Sequence, residues 1–131
     1  MPPQLTGFDH IHLYVTDKHI AANWYAENLG FHIVDSLLPW DTANGPLTIE
    51  DESKQIHLAL FEKERFSPLT AIAFKTNGKD FLAWKKHLES LNILDRCADH
   101  QLAWSLYFHD PYGHSHEITT YQVETVNEVL K

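Results

Sequence analysis

The chain has a single cysteine, Cys97, in 131 residues. No intrachain disulfide can form, and a reducing cytoplasm is the expected compartment. It has no apolar run near the ~20 residues that a membrane-spanning helix needs. The N-terminus, MPPQLTGFDHIHLYV, has no basic region followed by an apolar stretch, so no signal peptide is expected. Basic residues are also few: 10 Lys and Arg stand against 18 Asp and Glu, a formal net charge of −8. That balance argues against nucleic-acid binding, which calls for a basic face. It is compatible with a cationic ligand.

What is present suits one compact domain spanning residues 1–131. The composition is 44% hydrophobic and 12% aromatic, ample for a buried core, and 21% charged, so a disordered chain is not expected. Ten histidines are many for this length, and their positions carry more than their number.

Residues 8 to 16, FDHIHLYVT, alternate apolar and polar as a half-buried strand does. His10 and His12 then share a face. Asp17 reads as an N-cap, IAANWYAENL as a helix with Ile20, Trp24 and Leu29 on one stripe, and Gly30 as its C-cap. FHIVDSLL, residues 31 to 38, reads as a strand. PLTIEDES and KQIHLALFE read as a hairpin around an acidic turn. EKERFSP, residues 62 to 68, lacks periodicity and reads as a linker. The pattern then begins again: an apolar strand (69 to 76), a helix capped by Asn77 with Phe81, Trp84, Leu88 and Leu91 at helical spacing, and three strands, ILDRCAD, AWSLYFH and HSHEITTY. VETVNEVLK reads as a short terminal helix.

The expected fold is therefore α+β, with two pseudo-symmetric βαβββ modules at about 7–61 and 69–121 and a tail at 122–131. Ile11 superposes on Ile72 at an offset of 61, and Ile56-His57-Leu58 on His116-Glu117-Ile118 at an offset of 60.

A carboxylate at Glu117, inside a strand, is costly unless something meets it. A lysine across the sheet, water, or a metal would serve. Two half-sheets about a pseudo-twofold would bring His10, His57 and Glu117 toward a shared cleft. Two imidazoles and a carboxylate form a facial set for Fe, Mn, Ni, Co or Zn with open positions. A satisfied core histidine and a strand-face histidine in water are the plainer readings of His10 and His57 taken singly. Trp40 and Trp104 stand at loop or strand ends, where they would rim a cavity, and Ser105 and Tyr107 share a face. Trp24 and Trp84 read as core, and Cys97 as structural.

DHIHLYVTDKHIAANWYAENLGF resembles the opening of the vicinal oxygen chelate superfamily, the glyoxalase, bleomycin-resistance and extradiol-dioxygenase group. The matching residues are His10, Tyr25 and Leu29-Gly30-Phe31. SLYFHDPYGHSHEI, residues 105 to 118, resembles the group's Asp-Pro-x-Gly turn and metal-binding glutamate. The resemblance implies a glyoxalase-like fold, a homodimer, and a divalent metal. His10 would be the first ligand and Glu117 the last, with His57 where glyoxalase I enzymes carry a glutamate. The group's remaining histidine is replaced here by Ala71, which leaves three protein ligands at most. The matching places in fosfomycin-resistance enzymes imply substrate contacts for Ser105 and Tyr107. His12 and Tyr107 are then the catalytic candidates, with Trp40 and Trp104 beside Ser105 and Tyr107 in substrate binding. The function implied is a metal-dependent enzyme acting on a small oxygenated molecule. A metal-free, bleomycin-resistance-type binding protein is the alternative.

Overall fold

The computed structural model describes all residues, 1–131. The chain falls into two compact units, Met1–Phe66 and Ser67–Lys131. Each repeats one order of elements. In the first unit, strand β1 (Ile11–Val15) leads to helix α1 (Lys18–Leu29) and then β2 (His32–Ile33), β3 (Leu47–Glu50) and β4 (His57–Glu62). In the second, β5 (Ile72–Lys75) leads to α2 (Gly78–Ser90), β6 (Leu94–Asp99), β7 (Trp104–His109) and β8 (Ser115–Thr120), and α3 (Val123–Leu130) closes the chain. Each unit builds a four-stranded mixed sheet, in the orders β1-β4-β3-β2 and β5-β8-β7-β6. The first and last strands of each unit run parallel and the other pairs antiparallel. The class is α+β.

Local chemistry sets the helix ends. The Asp17 carboxylate accepts the backbone N–H of His19 and Ile20, both at 3.0 Å, and begins α1. Such a cap is worth about 1 kcal/mol. Gly30, at φ +75°, ends it in the left-handed conformation that glycine adopts without strain. Asn77 caps α2 by accepting from the Asp80 N–H at 2.7 Å, and returns a bond to the Asp80 side chain.

Strand alternation gives each sheet two unlike faces. In the first unit Leu13, Val15, Leu47, Ile49, Leu58 and Leu60 are fully buried, as are Ala21 and Tyr25 of α1. The opposite face carries His10, His12, Thr48, Glu50, His57 and Ala59. In the second unit Leu106, Phe108, Ile118 and His116 are buried, as are Phe81 and Leu88 of α2. Ser105, Tyr107, His109, Ser115, Glu117 and Thr119 alternate onto the other face.

Three sequence expectations are corrected. Residues 31 to 38 are not one strand: β2 stops at Ile33, and a 3-10 turn runs Asp35–Trp40 with Pro39 inside it. The Val34 N–H still reaches Thr48 O at 2.9 Å, after which Leu37 N–H bonds back to Val34 O. The buried side of α1 is Lys18, Ala21, Ala22, Tyr25 and Leu29, while Ile20 remains 62% exposed. Alanines allow close approach of helix to sheet, and they displace the Ile20–Trp24 stripe from the core. The register also alters the internal correspondence. Ile11 pairs with Leu58, and Ile72 with His116. Placing Ile11 on Ile72 therefore sets Ala59, not His57, on Glu117. His57 is two residues earlier on the same strand face.

Candidate functional site

The two candidate ligands in the first unit, His10 and His57, share one pocket. His10, just before β1, and His57, at the start of β4, line one pocket of about 120 Å³ with Asp9, Trp40, Thr48 and Ala59. The parallel pairing of Ile11 with Leu58 explains why, since it sets the preceding residues side by side. Trp40 reaches this wall because the 3-10 turn ends there, and the following loop is held by a buried lysine. Lys18 Nζ pairs with Asp41 at 2.7 Å and donates to the carbonyls of Thr42 (2.5 Å) and Gly45 (3.2 Å). That ammonium holds the Asp41 carboxyl below its ordinary range.

Each imidazole is braced by a carboxylate. His10 Nδ1 lies 2.7 Å from Asp9 Oδ2, and His57 Nε2 lies 3.0 Å from Glu50 Oε2. Donation to the carboxylate fixes the tautomer and leaves the second ring nitrogen with its lone pair available. For His10 that nitrogen is Nε2. His12 Nε2 stands 3.0 Å from it, with the two rings stacked at 4.9 Å. Sequence reasoning missed Glu50. Its signal was hairpin register: Glu50 pairs directly with His57 across β3 and β4.

In the second unit, Glu117 is half-buried at the middle of β8, between Tyr107 on β7 and Ala73 on β5. A hydroxyl meets it: Ser105 Oγ donates to Glu117 Oε2 at 2.7 Å and lies 3.2 Å from Thr119 Oγ1. Tyr107 is held by its hydroxyl, 2.9 Å from His100 Nε2, and by the Arg96 guanidinium 4.5 Å over its ring. The Asp110 turn aims β8. Its carboxylate accepts the N–H groups of Tyr112 and His114, both at 2.9 Å, and Gly113 takes φ +88°.

Trp104 is buried beneath the terminal helix. It is 7% exposed, on the β7 face opposite Ser105, and its indole N–H donates to Asn127 of α3 at 2.9 Å. The terminal helix covers it, an outcome the strand-end position did not reveal. Trp24 and Trp84 are half-buried rather than core.

Nowhere in the chain do three or more His, Cys, Asp or Glu side chains gather in a metal-holding arrangement. His10 and His57, which line one pocket with carboxylates behind them, are donors of the type that late divalent cations take. No helix is long and apolar enough to cross a membrane.

Comparison with known proteins agrees with this architecture. An integron cassette protein from the mobile metagenome of the Halifax Harbour sewage outfall superposes with a TM-score of 0.75 at 24% identity, over 88% of this chain and 99% of that one. The fosfomycin resistance protein FosX of Listeria monocytogenes, complexed with Mn(II) and 1S,2S-dihydroxypropylphosphonic acid, gives 0.73 at 16% identity, over 93% and 97%. A lactoylglutathione lyase of Agrobacterium tumefaciens gives 0.71 at 19% identity, over 94% and 98%. At these identities the likeness shows the fold. No curated protein sequence matches significantly. A family model does match, over residues 7–118, and both motifs lie within it: the chain belongs to the Glyoxalase/Bleomycin resistance protein/Dioxygenase superfamily.

Proposed function

We propose that the protein is a metal-dependent enzyme acting on a small oxygenated molecule, with His10, His57 and Glu117 as ligands of a divalent cation (Fe, Mn, Ni, Co or Zn). The observation that carries this is that His10 and His57 line one pocket, each with a carboxylate hydrogen-bonded to one ring nitrogen. Bracing of that kind orients a ligand and raises its basicity. The Mn(II) in the FosX structure supports the reading, as does the family match over residues 7–118, a span that includes His10, His57 and Glu117. When bound, such a cation supplies Lewis-acid polarisation of substrate oxygens.

The chain's own residues have separable roles in this reading. Asp9 and Glu50 hold the imidazoles. Ser105 orients the Glu117 carboxylate through its 2.7 Å bond. His10 Nε2 cannot accept from His12 and bind a cation with the same lone pair. Cation binding therefore frees His12 Nε2 to move a proton. Tyr107 presents a hydroxyl already bonded to His100, and Trp40 gives the pocket an apolar wall. A homodimer in the cytoplasm is part of the same proposal.

Metal analysis tests it. Protein purified without chelator and reloaded with Mn(II), Fe(II), Ni(II) or Zn(II) should hold about one metal per chain, and Glu117→Gln should lose it while keeping the fold. Wild-type protein that stays below about one metal per five chains after reloading refutes the ligand set, since a functional site refills. Calorimetric titration with a cationic glycopeptide separates the alternative. Tight binding indifferent to chelator would mark a metal-free sequestering protein.

A further inference from the structure

The polar face of the second unit carries a hydrogen-bonded chain that the metal reading does not use. His109 Nδ1 contacts Asp95 Oδ2, and His109 Nε2 lies 3.0 Å from Ser115 Oγ. One tautomer satisfies both bonds: Nδ1–H donates to Asp95, and Nε2 accepts from the serine. Nucleophile, base and orienting carboxylate thus stand in the sequence of contacts that activates a hydroxyl.

The fold builds this chain from three strands. His109 and Ser115 form the last pair of the β7–β8 ladder. Asp95 is the extra residue of a bulge, because Leu94 pairs with Phe108 and Arg96 with Tyr107. A bulge re-aims a side chain, and here it sends the carboxylate to His109. The Asp95 and His109 side chains are 48% and 52% exposed, and Ser115 is half-buried. An exposed ion pair adds little to stability, so packing does not account for the arrangement. Solvent access is what a reactive serine needs.

We propose that Ser115 Oγ is a nucleophile, activated by His109 and oriented by Asp95, that takes small activated acyl compounds such as aryl esters. The substrate class follows from the backbone around it. The N–H groups of Ser115, Gly113, His114 and Tyr112 already donate to Leu69 O, Asp110 O and the Asp110 carboxylate. They are not free to hold an oxyanion, which costs roughly 10²–10³ in rate. Only an acyl group with a stable leaving group reacts readily without that help. In the step, the Ser115 hydroxyl proton passes to His109 Nε2 as the Oγ–acyl bond forms. The acyl–oxygen bond to the aryloxide breaks, and His109 returns the proton to give the phenol. Water repeats the exchange on the acyl-serine and releases the acid.

The test uses p-nitrophenyl acetate on the full chain, with acetylation located by peptide mass mapping. The expected result is an acetyl group on Ser115, absent in Ser115→Ala and formed at least about tenfold more slowly in His109→Gln and Asp95→Asn. Circular dichroism of each variant checks that the fold is kept. Acetylation confined to lysines and the N-terminus overturns the proposal. So does acetylation of Ser115 at the same rate in wild type, His109→Gln and Asp95→Asn.

Discussion

Lys18→Met tests the loop that carries the pocket wall. Methionine keeps the stem and removes the ammonium. Lys18 is 5% exposed, so the lost contacts are an ion pair with Asp41 and two hydrogen bonds to the Thr42 and Gly45 carbonyls. Breaking a fully buried pair costs ~3–5 kcal/mol, because the remaining charge stays uncompensated. Asp41 is not fully stranded: its side chain is 15% exposed and His19 Nε2 lies at 3.1 Å. The lower end, about 3 kcal/mol, is therefore expected. For a chain of this size that lowers the melting temperature by roughly 10 °C. Thermal unfolding by circular dichroism at pH 7 reads it. Asp41→Asn supplies the second arm of a cycle, and the double variant should cost less than the sum of the singles, since both remove one pair. The acid side checks the sign. The Lys18 hydrogen bond lowers the Asp41 pKa from its ordinary 3.8, so this stabilisation is present above about that pH and is lost as pH falls through the folded value. The gap between wild type and Lys18→Met should therefore narrow in acid. A Lys18→Met protein melting within about 2 °C of wild type at pH 7, or strictly additive singles, refutes the clamp.

Other expectations follow from single sites. Burial, with Phe74 and Phe108 against the ring, lowers the His116 pKa from 6.5 to about 4. The unfolded chain takes up that proton first, so stability should drop by about 3 kcal/mol between pH 6.5 and 4, and urea titrations of His116→Gln should show a flatter profile. Gly78 lies against α3, and a Cβ there would meet Thr125 Cβ at 2.8 Å, so Gly78→Ala should cost ~1–3 kcal/mol in chemical denaturation. Glu50→Gln keeps the shape beside His57 and should weaken metal affinity roughly 10–100-fold by calorimetry while leaving the melting temperature nearly unchanged.

Caps and punctuation were the most legible part of the fold, because their chemistry is local. Asp17, Gly30, Asn77 and the Asp110-Pro111 turn each act on backbone groups within four residues, and the sequence places all of them. The repeated order of elements followed from those signals. What failed was decided by tertiary contact. FHIVDSLL alternates well enough for a strand, yet only His32 and Ile33 pair in register with β3, and a last bond from Val34 N–H to Thr48 ends the contact before the chain turns toward Trp40. On α1 the apolar stripe pointed to Ile20, but the closely packed face uses Ala21 and Ala22. Hydrophobicity ranks side chains by size, whereas close helix–sheet packing selects small ones.

The candidate site divides along the same line. The family resemblance pointed to His10 and Glu117, which lie in continuous segments of sequence. His57 carried no motif, and its partner Glu50 was read only as part of an acidic hairpin. Their meeting depends on register: a slip of one residue between β3 and β4 would turn one of the two to the opposite face. The same holds for the Asp95–His109–Ser115 chain. Its three residues sit on three strands, and a bulge that no periodicity announces brings the aspartate into reach. Chemistry made across strands is legible only once pairing is known, and for that reason both the carboxylate behind His57 and the activated serine escape a reading along the chain.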